Sequence, residues 1–235
     1  MLDQIYNGWI PGTELDSDRR NYSLSDYQYL AEQVQFIIDH FGLAPSDLNV
    51  LDFGFGWGHW ARMAMAYGSN VSGVELSNER MQHGQSVGIK ILALADLPAQ
   101  KFHFINTEQV FEHLTEPRLV LDKLVQALSV DGVIKISVPD SKESLKKLNH
   151  LKDFGALTSE HQMALAPMEH VNSYTHDSLV QLGRSVGLKK ICPSFYKLFN
   201  SASGLLEVQK FLRVAIRPFY RHIYPRSTFI YFVRA

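Results

Sequence analysis

The sequence predicts an α/β fold in which a parallel sheet is covered by helices on both faces. Short apolar segments of strand length alternate along the chain with longer segments whose apolar residues recur every three or four positions. That alternation is typical of strands joined by crossover helices. A glycine-rich turn, FGFGWG at 53–58, directly follows the first apolar strand. In an open parallel sheet such a turn lies at the carboxyl edge, where ligands bind.

The first helix is predicted over residues 25–41, where apolar side chains recur at helical spacing. Ser25 and Gln28 match a capping box at its start, and Gly42 stands where a helix commonly ends. The remaining elements are predicted as strands at 49–53, 70–76, 89–92, 101–106, 132–139 and 227–234, and as helices at 58–67, 77–87, from Pro117 to Leu128, at 177–186 and at 204–217. Residues 141–175 show no clean period, so no element is predicted there.

The composition describes an ordinary globular chain. Its 235 residues are 46% hydrophobic and 20% charged, and the net charge is −1, which does not favour a nucleic-acid binder. A single cysteine, Cys192, excludes an internal disulfide and a cysteine-based zinc site. The N-terminus resembles no secretory signal, and no run of about 18 apolar residues occurs. We therefore expect a cytoplasmic protein without a membrane span.

Basic and aromatic residues concentrate in the C-terminal segment. Residues 189–235 contain nine Lys or Arg, ten Phe or Tyr and a single acid, Glu207. The simplest interpretation is a solvated helix face. An alternative is attraction to an anionic or carrier-linked substrate, and contact with a membrane surface is a third, less favoured one. Nucleic acid is the least favoured partner, because no recognition motif accompanies the charge.

The spacing of the glycine turn separates two kinds of nucleoside ligand. A dinucleotide fingerprint, G-x-G-x-x-G, needs its third glycine at position 59, which is His59, whereas Gly58 comes one residue early. Asp52, two residues before the first glycine, would repel a pyrophosphate and attract an ammonium group. Glu75 ends the second predicted strand, where a carboxylate can accept hydrogen bonds from ribose hydroxyls. The ligand is therefore expected to contain a nucleoside and an ammonium group.

Five stretches in order along the chain carry a further signal. They are VLDFGFGWG, Glu75, FINTEQVFEHL, GVIKISVPD and EHVNSYTHDSLVQLGRSVGL, and together they cover about residues 48–192. They resemble class I S-adenosylmethionine-dependent methyltransferases of the generic small-molecule branch. The resemblance implies a Rossmann-like, doubly wound sheet of seven strands, mostly parallel with an antiparallel last strand. It implies one domain over residues 1–235, with an N-terminal lid and helix at 1–45, a cofactor-binding core at 48–192, and the basic helix and closing strand at 193–235.

The resemblance also implies the cofactor, S-adenosyl-L-methionine, and the residues that bind it. The glycine turn would hold its methionine part and Glu75 its ribose. Ala93 replaces the acid that often follows the third strand in this family, so Leu94 or Asp96 is expected to serve the adenine. The full expected set is Asp52, Gly54, Phe55, Gly56, Gly58, Glu75, Leu76, Leu94, Asp96 and Asn106. Trp57 is an aromatic candidate for the sulfonium or adenine, while Trp60 is expected in the core.

Two histidines are the candidate catalytic residues. Methyl transfer is an in-line displacement, so alignment supplies much of the rate, but an oxygen acceptor also needs a base. His113 follows the fourth strand beside the expected methyl position, and His170 follows the fifth. The competing interpretation places both in ordinary loops. The irregular histidine spacing beyond residue 140 predicts no metal site.

These patterns favour methyl transfer to a small-molecule acceptor, with O-methylation preferred because histidines crowd the expected acceptor side. N- and C-methylation remain open. One alternative is a catalytically silent S-adenosylmethionine-binding regulatory or partner protein. A nicotinamide-dependent oxidoreductase is a weaker alternative, because His59 occupies the position of the third glycine. The sequence does not indicate an oligomeric state.

Overall fold

The computed structural model describes residues 22–192 and 229–235. The strands are Asn49–Phe53 (β1), Asn70–Val74 (β2), Lys90–Ile91 (β3), Phe102–Glu108 (β4), Leu128–Ser137 (β5), Leu188–Ile191 (β6) and Ile230–Arg234 (β7). They form one seven-stranded sheet in the order β3-β2-β1-β4-β5-β7-β6. Strands β1 to β5 pair with one another in parallel, whereas β7 pairs antiparallel with both β5 and β6. The Rossmann-like sheet with an antiparallel last strand is confirmed.

Helices cover both faces of this sheet. They are Leu24–Phe41 (α1), His59–Ala66 (α2), Asn78–Ser86 (α3), Pro117–Ala127 (α4), Lys142–Leu151 (α5), Ser159–Leu165 (α6) and His176–Arg184 (α7). Successive strand residues point to opposite faces, so Val50 packs into the cluster that contains α1 and α2, and Leu51 packs into the cluster that contains α4 and α7. Both clusters bury apolar strand residues, which explains why the strands are nearly continuous apolar runs.

The predicted starts of two elements, α1 and β5, were wrong. Helix α1 begins at Leu24, and its capping box uses Ser23 and Asp26 rather than Ser25 and Gln28. The Asp26 carboxylate accepts a hydrogen bond from the Ser23 backbone N–H at 2.8 Å. Strand β5 begins at Leu128, earlier than predicted, because a register shift pairs that residue with Phe102 before the regular ladder begins.

The segment without a clean period, residues 141–175, contains two helices, α5 and α6. Helix α5 lies at the surface, and Ser144 is its one buried residue. A mostly solvated helix needs few apolar side chains, so it carries little periodic signal.

Several predictions lie outside the described residues. These are the N-terminal lid up to residue 21 and the basic helix at 204–217. The closing strand is described from Ile230 onward and pairs as expected. None of the helices in the described ranges is both long and apolar enough to cross a bilayer.

Candidate active site

The glycine turn after β1 forms one wall of a site at the carboxyl edge of the sheet. Gly54, Gly56 and Gly58 all have positive φ. A Cβ at Gly58 would lie 2.7 Å from Ile89 Cδ1, and a Cβ at Gly54 would collide with Val110. A Cβ at Gly56 would meet no described atom within 4 Å. The space that a Cβ would occupy at Gly54 and at Gly58 is therefore filled by the protein's own side chains. Of the three glycines, only Gly56 has no described atom near that position.

Glu75 fixes the glycine turn to the start of helix α3. Its carboxylate accepts hydrogen bonds from the backbone N–H groups of Gly56 at 2.9 Å, Leu76 at 2.7 Å and Ser77 at 3.0 Å. Ser77 is the N-cap of α3, so the carboxylate also lies at the positive end of that helix. Each carboxylate oxygen has two lone pairs, and Oε2 uses one of them for Gly56. Glu75 is therefore rigidly placed and retains capacity to accept a hydroxyl donor.

Asp52 is a buried carboxyl group at the end of β1. It is 3% exposed, and Asn106 Nδ2, its register partner on β4, donates to its Oδ1 at 2.9 Å. Burial raises the pKa of Asp52 to about 7, although the hydrogen bond from Asn106 and the charge of Lys135 oppose the rise. A cation beside this carboxyl would favour its ionised form. The described contact of the Asn106 side chain is with Asp52, which it orients.

Asp52, Asn106 and Lys135 are register partners on the adjacent strands β1, β4 and β5, and they form a polar row across the sheet. Lys135 is fully buried. Its ammonium donates to Gln33 Oε1 at 2.5 Å and forms an ion pair with Glu108. Glu108 also accepts a hydrogen bond from Ser137 Oγ at 3.1 Å. Helix α1 therefore packs on polar as well as apolar residues of the sheet, since its Gln33 contacts Lys135 in this polar row.

The aromatic residues of the glycine turn mostly belong to the core. The Phe55 ring packs where a side chain at Gly73 or Gly84 would otherwise lie, so only the Phe55 backbone belongs to the turn. Trp60 is buried and stacks on Phe104 with ring centroids 5.9 Å apart, as expected for a core residue. Trp57 is also buried, with Arg80 5.9 Å from its ring centroid.

The expected adenine side is open. Leu76 is 46% exposed at the end of the β2 edge, and Asp96 is exposed at the start of the turn Leu97–Ala99. Leu94 is half-buried against the core cluster. All three residues lie on the β2–β3 side of the glycine turn, in agreement with their predicted region. Contacts with an adenine remain a prediction.

On the other side of the glycine turn, the structure brings together the two candidate catalytic histidines. His113 ends the turn Phe111–His113 that follows β4, and its ring centroid lies 5.0 Å from that of His170. Glu112 joins them, so that one ligand atom from each of the three side chains lies within 4.8 Å of the others. His113 Nδ1 lies 3.0 Å from the carbonyl oxygen of Glu169. Because a carbonyl only accepts, this contact places the ring proton on Nδ1 and the lone pair on Nε2.

Asn172 holds the histidine loop against the turn after β4. Its backbone N–H donates to the Glu112 carbonyl at 2.9 Å, and its side-chain Nδ2 donates to the Leu114 carbonyl at 2.5 Å. These bonds satisfy carbonyls at the end of a short helical turn, which would otherwise lack partners. They explain why residues far apart in sequence lie in one cluster.

Burial controls the charges in this cluster. Glu112 is 1% exposed, and burial raises its pKa to about 7, with its own backbone N–H as a weaker opposing effect. Neither carboxylate oxygen completes a hydrogen bond with any group in the part of the chain that the structure describes. Burial also lowers the pKa of His170, and the neighbouring His113 lowers it further. The pKa of Tyr174 is raised to about 12 by burial and by the charge of Glu112.

The sequence matches a family model described as a methyltransferase domain over residues 22–192. The chain belongs to this methyltransferase family. It is a class I S-adenosylmethionine-dependent methyltransferase, and S-adenosylmethionine is its cofactor. The residues present fit that cofactor, because no described atom lies within 4 Å of a Cβ built at Gly56, a cation beside the buried Asp52 would favour its ionised form, and Glu75 is held with acceptor capacity to spare.

Solved structures of methyltransferases share the fold. The plantazolicin methyltransferase BpumL, solved with SAH, is 15% identical, with a TM-score of 0.61 over 98% of this chain and 92% of the other. A Burkholderia thailandensis 1,6-didemethyltoxoflavin-N1-methyltransferase is 18% identical, with a TM-score of 0.52 over 81% and 76%. PKMT2 from Rickettsia typhi is 16% identical, with a TM-score of 0.54 over 91% and 54%. No protein with a curated description matches the methyltransferase sequence.

Sequence reasoning missed two features of the methyltransferase site. Glu112 immediately precedes His113, and its place after the apolar pair Val110-Phe111 was the signal that it is buried. Lys135 interrupts the apolar strand sequence VIKISV, which was the signal for a buried charge. The predicted absence of a metal site depended on spacing along the chain, and spacing does not detect ligands that converge from separate loops.

Proposed function

We propose that this methyltransferase transfers the methyl group of S-adenosylmethionine to an oxygen atom of a small-molecule acceptor. The observation that carries the proposal is the pairing of His113 and His170 at the same sheet edge as the glycine turn. A base is needed by a hydroxyl acceptor and is dispensable for an amine that binds in its neutral form. The presence of paired imidazoles therefore favours oxygen over nitrogen.

The cofactor side of the site supplies binding and orientation. When bound, S-adenosylmethionine supplies an electrophilic methyl group on a sulfonium. Asp52, in its ionised form, attracts the ammonium of the methionine part, and Asn106 fixes the direction of that carboxylate. Glu75 accepts hydrogen bonds from the ribose while its own bonds to Gly56 and Ser77 prevent it from rotating. Such alignment can account for about 7–11 kcal/mol of a displacement barrier in favourable cases.

The acceptor side supplies a proton acceptor. The hydrogen bond from His113 Nδ1–H to the Glu169 carbonyl orients the ring and places the lone pair on Nε2, the atom proposed to receive a proton from the acceptor hydroxyl. His170 lies against His113, and burial lowers the pKa of its imidazole, which disfavours the charged form. An uncharged His170 would not oppose the positive charge that His113 gains during the reaction. His113 is thus proposed as the base and His170 as a residue that faces the same acceptor.

Structural neighbours support a small acceptor, although they do not identify it. One is a plantazolicin methyltransferase solved with a desmethyl plantazolicin analog, and another is a toxoflavin N1-methyltransferase solved with its didemethyl substrate. The basic C-terminal sequence favours an anionic or carrier-linked acceptor for this chain. A catalytically silent role is not favoured by these similarities.

The test is formation of S-adenosylhomocysteine by the purified chain in the presence of panels of phenols, carboxylic acids, alcohols and amines. We expect turnover with a hydroxyl acceptor, a large loss of that turnover in His113→Ala, and little change in a variant of the exposed His150, which lies on α5. Turnover on amines alone would refute the oxygen assignment. Tight binding of S-adenosylhomocysteine without turnover on any panel would favour the silent alternative.

A further inference from the structure

We infer that Glu112, His113 and His170 form a binding site for one divalent transition-metal cation at the acceptor side of the methyltransferase. The three side chains come from two loops, the turn after β4 and the loop after α6, and they offer two imidazole nitrogens and one carboxylate oxygen. The cation-binding step does not depend on methyl transfer. Its consequence for the reaction rests on the proposed function.

The donor atoms already lie near the separation that a cation requires. One donor atom of each residue is within 4.8 Å of the others. Metal–nitrogen distances of about 2.0–2.1 Å place ligand atoms roughly 3–3.5 Å apart in a tetrahedral site. Rotations of the three ligand side chains that close the remaining distance leave intact the hydrogen bonds from the Asn172 backbone N–H and side-chain Nδ2 to the neighbouring turn. The two loops are therefore held together independently of the cation.

Glu112 is the observation that points to a ligand rather than to a chance cluster. Its side chain is buried at 1% exposure, and no described donor completes a hydrogen bond to either carboxylate oxygen. A buried carboxylate without a partner is costly, so such groups are usually paired, protonated or bound to a metal. A cation between Glu112 and the two imidazoles would provide the missing partner.

The histidines have the geometry of metal ligands. His113 donates its Nδ1 proton to the Glu169 carbonyl, and a backbone carbonyl is a common partner for the second nitrogen of a metal-binding imidazole. That bond fixes the tautomer with the lone pair on Nε2. Nδ1 of His170 is buried and has no hydrogen-bond partner within the described ranges. One nitrogen of each ring lies within 4.8 Å of a carboxylate oxygen of Glu112.

The ligand set selects the kind of cation. Imidazole nitrogens suit Zn²⁺ and Fe²⁺, and the carboxylate of Glu112 also suits Mn²⁺, whereas Mg²⁺ and Ca²⁺ prefer sites made only of oxygen atoms. Three protein ligands leave at least one coordination position for an acceptor oxygen. A cation there would polarise the acceptor and favour loss of its proton at neutral pH. A ring nitrogen bound to the cation accepts no proton, so the cation would then replace His113 as the activating group.

The test measures metal binding without cofactor or acceptor. Untagged protein is stripped with a chelator, dialysed, and titrated with Zn²⁺ and with Mn²⁺ by calorimetry. We expect one cation per chain, with binding weakened at least 10–100-fold in Glu112→Gln and in His170→Ala, because losing even an outer-shell partner has effects of that size. His150→Ala is the matched control, because this exposed histidine lies outside the cluster. Its affinity should equal that of the wild type.

Two results would overturn the inference. One is the absence of binding by folded wild-type protein at millimolar cation, and the other is an equal affinity in His150→Ala and both cluster variants. Binding of S-adenosylhomocysteine confirms that each variant is folded, since Glu112 and His170 are not expected to touch the cofactor. Turnover that survives chelation without bound metal would refute the metal site and leave the proposed methyl transfer intact. Metal binding without any turnover would support the metal site and refute the proposed methyl transfer.

Discussion

Cofactor affinity should increase with pH because Asp52 must ionise to receive the cofactor. In the ligand-free protein, burial raises the pKa of Asp52 from 3.8 to about 7. At roughly 1.36 kcal/mol per pH unit, that difference means that an ionised Asp52 costs the folded chain about 4 kcal/mol. An ammonium beside the carboxylate offsets this cost. Binding below pH 7 should therefore release a proton from Asp52.

The expected size of the effect follows from the fraction of ionised Asp52. With a pKa of about 7, that fraction rises about tenfold between pH 6 and pH 8, so the dissociation constant of S-adenosylhomocysteine should fall about tenfold over the same range. Calorimetry at pH 6 in two buffers of different ionisation enthalpy counts the released protons, which should approach one per binding event. Asp52→Asn should bind more weakly at pH 8 and show neither the pH dependence nor the proton release.

The same group should affect stability in the opposite direction. The folded-state pKa of Asp52 is raised, so below about pH 4 it is protonated in both the folded and the unfolded chain and has no effect. As the pH rises toward 7, the unfolded chain ionises and the ligand-free folded chain does not, so stability falls. Asp52→Asn should reduce this fall when urea unfolding is measured at pH 5 and pH 8, and the remainder should come from Glu112, whose pKa burial also raises to about 7. A wild-type protein whose affinity and stability follow the same pH course as those of Asp52→Asn would refute the reasoning.

Three further variants test the rest of the site. Glu75→Ala should weaken binding of S-adenosylhomocysteine by about 1.5–3 kcal/mol, the scale of a charge-assisted hydrogen bond, and an unchanged dissociation constant in a folded variant would remove Glu75 from the ribose site. His113→Ala should lower turnover of a hydroxyl acceptor about 10²–10⁴-fold with little change in cofactor affinity, and wild-type turnover would exclude His113 as the base. Lys135→Met should reduce the free energy of unfolding by about 1 kcal/mol in urea titrations, because it removes the ion-pair partner of Glu108, whose side chain is 38% exposed and can be solvated by water. A much larger loss would show that helix α1 shields Glu108 from water.

The sequence was sufficient for the sheet because local signals and packing agree there. Val50 and Leu51 are apolar, and each packs on its own face of β1, so the strand is recognisable without its neighbours. The boundaries predicted at Ser77 and Gly42 are correct. Ser77 caps the start of α3 with its side chain, and Gly42 ends α1 in the left-handed backbone conformation. The start of α1 was not decidable in this way. Ser23 and Ser25 each have a polar residue three positions later, and only the path of the preceding chain selects between them.

The site was predictable only where it follows the strands. Asp52, Gly56 and Glu75 lie at strand ends, and parallel strands bring their carboxyl ends to one edge. The contact of His113 with His170 has no local signal, because it depends on hydrogen bonds from Asn172 to carbonyls of another loop. A tertiary hydrogen bond of this kind leaves no periodicity in either segment.

The charges at this edge also explain why the site suits a cationic cofactor rather than a dinucleotide. Asp52, Glu75 and Glu108 all lie at the carboxyl ends of adjacent strands, and the charge of Glu108 contributes to the raised pKa of Asp52. Lys135 forms an ion pair with Glu108 and so offsets only part of the negative charge of these three acids. A pyrophosphate would bring negative charge toward these acids, whereas an ammonium and a sulfonium bring positive charge. The glycine spacing and the electrostatics therefore both disfavour the nicotinamide alternative for independent reasons, one based on the position of the third glycine and one on charge.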